Sequence, residues 1–292
     1  MSVSSNFETF NKSLLIGTSQ RSTNSTRYLA ICKRLNIDFW DVDLTSGGKY
    51  IGSYGRNTAN SWVSDIDMLF ELPWSTYTKY NNYITNGQSA LLQAIRNSIG
   101  VTYPSSKLKG DGQIVSVSFT NGATFEVLPV FKNNDNSYTF ADSNGNGSWK
   151  KTNPLPEIQA VSNGDILTNS NLRRLCRMAR SWKHYCNVPI KGLLIDTLAY
   201  RFLTNWNERD KSYLYYDWMS RDFFKYLKDQ TSTQTTWYAI GSQQPIYNSG
   251  NFRYKATQAY NKSLEAIQYQ TDNMEWTSKQ KWRDIYGFRF PD

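Results

Sequence analysis

The side chains best placed to do chemistry are carboxylates. Gly52-Ser53 is followed twelve residues later by Asp65-Ile66-Asp67, in the run SDIDMLFEL. In an extended strand residues i and i+2 point the same way, about 6–7 Å apart at a rise of roughly 3.3 Å per residue, so Asp65 and Asp67 share a face. Two carboxylates so placed can share two Mg²⁺ ions, with Mn²⁺ as a substitute. Such a pair of ions, about 3.5–4 Å apart, stabilises the entering and leaving oxygens of an in-line displacement at phosphorus. Magnesium suits the task because it is hard, prefers oxygen and takes its remaining ligands from phosphate and water. Gly52 lets the backbone approach a phosphate closely, and the Ser53 hydroxyl and nearby amides can donate to it. Arg56, just after the turn, is grouped with them as a nucleotide-binding residue.

A third carboxylate on a neighbouring strand would complete the metal shell and help remove the proton of an acceptor hydroxyl. Glu126 is the candidate, facing opposite to the apolar Phe125 and Val127. Asp111 and Asp135 are alternatives, in turn or loop sequence with less fixed geometry. Each feature alone is commonplace, since acids on strands and arginines on helices are usually solvated. The ordered set of turn, Asp-x-Asp and hairpin acid before Pro129 is what points to an active site.

The elements that must position these residues can be read from periodicity. Tyr28, Ile31, Cys32, Leu35, Phe39 and Val42 recur at helical spacing, predicting an amphipathic helix over about 24–44. Lys49-Tyr50-Ile51 is a short strand entering the Gly52-Ser53 turn, and Ser64 to Leu72 alternates as a half-buried strand with Ile66, Met68 and Phe70 inward. Residues 113–120 and 123–131 flank Asn121-Gly122, the strongest short hairpin signal. The Asn/Gly/Ser-rich stretch from Asn133 to Ser148 reads as a loop.

Beyond about 165 the period becomes helical: Leu172, Leu175, Cys176, Ala179, Trp182 and Cys186 line one face, and Arg173, Arg177 and Arg180 an adjacent basic stripe. Further helices are predicted over Leu193–Leu203, Asp222–Leu227 and Ala256–Ile267. A last one is predicted to start at a Thr277-x-x-Gln280 capping box and stop at Gly287. The fold class is therefore α+β: residues 1–165 form the catalytic core including the N-terminal helix, and residues 166–292 form a helical lobe.

Composition excludes other chemistries. The 292 residues carry 33 Lys+Arg against 24 Asp+Glu, a net charge of +9 that favours polyanionic ligands such as nucleotides or nucleic acids. With 39% hydrophobic and 15% aromatic residues the chain can bury a sizeable core, so it is not disordered. His184 is the only histidine, which removes serine–histidine triads and histidine-based zinc centres. Cys32, Cys176 and Cys186 are too few and too scattered for a disulfide framework or a four-cysteine zinc site, and read as buried apolar residues. No window approaches a membrane span, and the start MSVSSNFETFNKSLLIG lacks the form of a secretory signal, so no membrane partner and a cytoplasmic location are expected.

With these residues in place, GSYGRNTANSWVSDIDMLF resembles the signature of the polymerase-β-like nucleotidyltransferases, and more narrowly the bacterial cGAS/DncV-like nucleotidyltransferases (CD-NTases). The resemblance continues through FEVLPVF, GSWKKTNP, LRRLCRMARSWKHY and IKGLLIDTLAY to WRDIYGFRFP, nearly the whole chain. It implies a nucleotidyltransferase core with a mixed sheet, joined to an OAS-like helical lobe, with the active site in the cleft between them. It also implies that Gly52 and Ser53 hold the donor triphosphate and that Asp65 and Asp67 bind both metals. Glu126 then stands where many relatives have Asp. Lys183 matches the second basic residue of the family's [KR]-x-W-K helix and would reach donor phosphates, while Gly192 stands where many relatives place a triphosphate-contacting Ser.

The implied activity is synthesis of a cyclic di- or trinucleotide second messenger from NTPs, ATP or GTP among them. Pyrophosphate leaves, and a separate effector is activated by the product in CBASS anti-phage defence. The alternative enzyme makes linear oligonucleotides or modifies RNA, protein or a small molecule. A third class, a nucleic-acid-binding protein with a decayed site, is disfavoured by intact Asp65 and Asp67. No Cys/His insertion supports a nucleic-acid activator.

Overall fold

Up to about residue 152 stretches of helical spacing are interleaved with strands of alternating apolar and polar residues, and beyond it helical spacing prevails. The computed structural model describes residues 2–292. In its first half come α1 (Val3–Ser13), α2 (Thr18–Trp40), β1 (Gly48–Tyr50), a one-turn α3 (Gly52–Gly55), β2 (Asp65–Glu71), α4 (Trp74–Asn81), α5 (Gly87–Thr102), β3 (Lys107–Asp111), β4 (Ile114–Ser118) and β5 (Thr124–Lys132). There follow β6 (Tyr138–Asp142), β7 (Ser148–Thr152), α6 (Leu155–Leu167), α7 (Asn171–Tyr185), α8 (Gly192–Asn205), α9 (Tyr216–Lys228), the small hairpin β8 (Thr236–Tyr238) and β9 (Pro245–Tyr247), α10 (Phe252–Thr271) and α11 (Glu275–Tyr286).

Two compact units result. A sheet unit holds Gly17–Gly55 and Trp62–Leu155; a helical unit holds the chain up to Ile16, Arg56–Ser61 and Pro156–Asp292. The division thus falls at 155/156 rather than 165, and α1 belongs with the helices rather than the core. The reason is aromatic: Phe7 packs edge-on against Trp282 and Phe290, and Phe10 lies 4.9 Å from the ring of Tyr286. Both α1 phenylalanines are fully buried there.

The sheet runs β1-β2-β5-β4-β3, with β6 on the far part of β5 and β7 outside β6. Only β2 and β5 are parallel, which makes the sheet mixed. Ile66, Met68 and Phe70 of β2 join Phe125 and Val127 of β5 in one apolar face, covered by Ile31, Cys32 and Leu35 of α2 and Leu91, Leu92 and Ile95 of α5. Leu69, expected on the polar face of β2, is also buried, against Val130, Tyr138 and Phe140. β6 is the reason. The predicted loop 133–148 contains this wholly buried strand, because its Asn and Gly residues form the two turns around Tyr138–Asp142, with positive φ at Asn136, Gly145 and Gly147.

Element boundaries also differ. α2 begins six residues earlier than predicted and stops at Asp41, whose left-handed φ of 55° leaves Val42 outside. α11 starts at Glu275, behind a left-handed Asn273 that lets α10 turn directly into it, so Thr277 lies inside the helix and caps nothing. Gly287, at φ 82°, ends α11 as predicted. Cys32 and Cys176 are buried, whereas Cys186 is half-exposed. No helix among the described residues is long and apolar enough to cross a membrane.

Candidate active site

The carboxylates are assembled by the parallel pairing of β2 with β5. Asp67 is the direct partner of Glu126, and Asp65 of Thr124. Same-face side chains on paired strands stand side by side at about 4.8 Å strand spacing, so Asp67 and Glu126 are immediate neighbours, with Asp65 two residues along. Their crowding is visible in the chemistry of Glu126. Burial, then the charges of Asp67 and Asp65, raise its carboxyl from 4.5 to about 7; a hydrogen bond with Asp67 and the more distant Asp111 add to this. Asp65 takes a hydrogen bond from Ser64 at 3.0 Å and is exposed.

The turn is placed over this acid pair. Ile51 N–H donates to the Asp67 carbonyl at 2.9 Å, fixing the end of β1 beside β2. Gly52 then takes φ +58°, and a Cβ built there would overlap the Asp67 carboxylate, so only glycine fits. Ser53 follows in α3, closed by the Gly55 N–H to Ile51 carbonyl bond at 2.8 Å.

Whether this site suits divalent cations can be judged from its donors. All are hard carboxylate oxygens, and burial, then the charges of Asp67 and Asp65, hold Glu126 above its ordinary range, a penalty on its charged form that a cation would relieve. Among the described residues no group of three or more His, Cys, Asp or Glu side chains is placed to hold a metal ion. Of the alternative third acids, Asp111 is exposed at the end of β3 and pairs with Lys109 at 3.1 Å. Asp135 is engaged by Ser137 in the β5–β6 turn.

The basic residues fall in the helical unit, and there one expectation is overturned. Arg56 is 4% exposed, donating Nε to Asp196 at 2.8 Å and Nη1 to Glu157 at 3.0 Å. Its charge is spent on two buried carboxylates and is not offered to a nucleotide. The Arg173/Arg177/Arg180 stripe is likewise turned inward: Arg173 bonds Asp165 and the Arg56 carbonyl, Arg177 the Asn57 carbonyl, and Arg180 the Asp196 carboxylate. Lys183 remains half-exposed on α7, its ammonium pushed down by burial and by Arg180. Gly192 opens α8 with its carbonyl accepting from Arg180 at 3.2 Å, and a Cβ there would press on the same guanidinium at 3.3 Å. A side chain at this position would need that guanidinium to give by a few tenths of an ångström.

Sequence reasoning missed Asp196. The available signal was a lone acid inside the apolar run IKGLLIDTLAY, which can be buried only if paired.

The fold and the acid pair define a nucleotidyltransferase. Residues 1–164 match the family model of the second messenger oligonucleotide or dinucleotide synthetase domain, and the chain belongs to that family. It is similar to a probable cyclic nucleotide synthase of Bacillus cereus, at 21% identity over 82% of this chain and 81% of the relative. Among solved structures it superposes on Escherichia coli CdnC with ATP, with TM-score 0.73, 14% identity and 99% of both chains covered. It also superposes on Vibrio cholerae DncV, a cyclic AMP-GMP synthase described as a prokaryotic cGAS homologue, with TM-score 0.66, 14% identity, 84% of this chain and 69% of that one.

Proposed function

We propose that this chain joins NTPs, ATP or GTP among them, into a cyclic di- or trinucleotide, with Asp65, Asp67 and Glu126 as the reacting-centre carboxylates. The observation that carries the assignment is the Asp67–Glu126 register, with Gly52 seated on the Asp67 carboxylate. The synthase relatives and the family support the cyclic product.

Asp65 and Asp67, with Glu126 completing the shell, would hold two Mg²⁺ ions, which would supply charge neutralisation and hydroxyl acidification at the phosphate. The Ser53 hydroxyl and the amides of the turn hold the donor triphosphate, and Lys183 adds a cation for its phosphates. Glu126, the direct strand neighbour of Asp67, is the carboxylate placed to help remove the proton of the acceptor ribose hydroxyl. The ribose oxygen forms a bond to the α-phosphorus, the bond from that phosphorus to the bridging oxygen breaks, and pyrophosphate leaves. A second such transfer, after the linear intermediate is turned round, closes the ring. Catalysis is then chiefly positioning and electrostatics. The product acts in the cytoplasm on a separate effector in anti-phage defence, as the CD-NTase resemblance implies.

The test is incubation with Mg²⁺, or Mn²⁺, and each α-³²P-labelled NTP in turn with the other three unlabelled, followed by phosphatase and thin-layer chromatography. A resistant product absent from Asp65→Asn/Asp67→Asn is expected, because a ring has no terminal phosphate. Only phosphatase-sensitive products would sink the cyclic assignment and favour a linear or heterologous acceptor.

A further inference from the structure

The polar face of the sheet does not end at Glu126. Directly opposed residues on paired strands place their side chains on one face, so strand register carries that face outward from the carboxylates. Glu126 pairs with Ser116 of β4, and Ser116 with Lys109 of β3. In the next row Asp65 pairs with Thr124, Thr124 with Ser118, and Ser118 with Lys107. Both rows run from acid through small hydroxyl side chains to lysine, and all of them lie in the sheet unit.

Exposure rises along the same path. Ser116, Ser118 and Thr124 are half-buried, whereas Lys107 and Lys109 are exposed. The hydroxyls are tied down locally, Thr124 Oγ1 donating to Ser118 Oγ at 3.1 Å and Ser116 Oγ to the Lys109 carbonyl at 3.3 Å, so a low polar floor separates acids from lysines. Val115, Val117, Phe125 and Val127 close the opposite face of the same strands. Asp111, two residues beyond Lys109, bears on Glu126 through its charge, so this end of β3 is within electrostatic reach of the carboxylates.

Transfer between two NTPs needs places for two triphosphates. The Gly52-Ser53 turn, on the β1 side of Asp67, is given to the donor. The acceptor keeps a triphosphate of its own, which the carboxylates would repel. A ribose carries its 2′- and 3′-hydroxyls and its 5′-phosphates on opposite edges, so a hydroxyl at Glu126 sends the phosphates away from the donor. Lys109 stands two strands from Glu126, about 10 Å away, a span that an extended ribose triphosphate and a lysine side chain cover together. Along the strands the next row is apolar, Leu69 with Leu128. The face also carries Lys49 and Lys150, but Glu71 and Asp142 meet their charges. The Lys109–Asp111 pair is 63% exposed on both sides and opens at little cost.

We propose that Lys107 and Lys109 bind the triphosphate of the acceptor nucleotide, which lies across β5, β4 and β3 with its ribose hydroxyl at Glu126. This rests on the reading of Asp65, Asp67 and Glu126 as the reacting centre.

The experiment uses the full chain with Mg²⁺ and, as donor, a trace of the α-³²P-labelled NTP that gives product in the chromatographic assay. An acceptor that cannot donate is added in excess: a nucleoside, or the NTP of the same base with methylene in place of its α,β-bridging oxygen. The two differ only in phosphates, and labelled linear product is measured. Lys107→Gln with Lys109→Gln should raise KM for the methylene NTP about 10- to 100-fold, and each single variant about 3- to 10-fold, with kcat little changed. Transfer to the nucleoside, which brings no phosphate, should move less than about threefold. The loss should shrink as salt is raised, and Lys107→Arg with Lys109→Arg should restore binding. Tm should be unmoved, since both residues are exposed.

Equal losses with both acceptors, no loss with either, or a loss that the arginine pair does not restore would overturn the proposal. If the parent ignores the nucleoside, an unchanged KM for the methylene NTP is the refuting result. No transfer by the parent to any acceptor, or transfer undiminished in Asp65→Asn/Asp67→Asn, refutes the reacting-centre reading and this proposal with it. An active parent beside silent lysine variants refutes this proposal alone.

Discussion

Replacing Asp67 by Asn should abolish synthesis and, without divalent ions, make the protein more stable. Moving the Glu126 carboxyl from 4.5 to about 7 corresponds to about 3 kcal/mol of penalty on its charged form. Burial is the largest cause and Asp67 the next, and water reaches the site and screens the charges, so the share relieved by Asp67→Asn is about 1 kcal/mol. For a unit of this size that raises Tm by about 4 °C. The gain must depend on pH. Because Glu126 titrates higher in the folded chain than in the unfolded one, its penalty is absent below 4.5, grows as pH rises through about 7, and is complete above that. Thermal melts in EDTA should therefore separate the variant from the parent at pH 8 and merge them near pH 4.5. Added Mg²⁺ should stabilise the parent more than the variant. A Tm gain that is the same at both pH values, or a loss at pH 8, would refute the account of crowded carboxylates.

Gly52→Ala forces an L residue into the left-handed region, at roughly 1–2 kcal/mol, and drives its methyl into the Asp67 carboxylate. Turnover should fall about 100-fold in steady-state assays, with a modest drop in Tm. Lys183→Met, on the half-exposed face of α7, should raise KM for NTPs while leaving urea unfolding within about 0.5 kcal/mol. Asp196→Ala leaves Arg56 and Arg180 buried without a counter-charge and should cost about 3–5 kcal/mol in urea denaturation. Chelation of divalent ions should stop product formation, and Mn²⁺ should restore it as well as Mg²⁺ in the chromatographic assay.

Alternation in SDIDMLFEL and FEVLPVF was enough to turn Asp65, Asp67 and Glu126 away from the apolar face, and Asn121-Gly122 was enough to make the hairpin that carries Glu126. These are local facts, set by the two-residue period of a strand and by the steric needs of a tight turn. Helical spacing in LRRLCRMARSWKHY likewise fixed α7 and its buried stripe. Local pattern failed where polar turns flanked a short apolar strand, as at β6, and where aromatic residues found distant partners, as when Phe7 and Phe10 drew α1 to the helical unit.

What only the tertiary structure decided is which charge meets which. An arginine in sequence is a cation available to any anion. Whether it serves a substrate phosphate or a buried carboxylate depends on residues more than a hundred positions away, as Arg56 shows with Glu157 and Asp196. The same holds for Glu126, whose neighbour Asp67 is set by strand register rather than by spacing along the chain. Residue type and period determine which way a side chain faces; pairing of elements distant in sequence determines what it faces, and for charged groups that pairing sets both pKa and role.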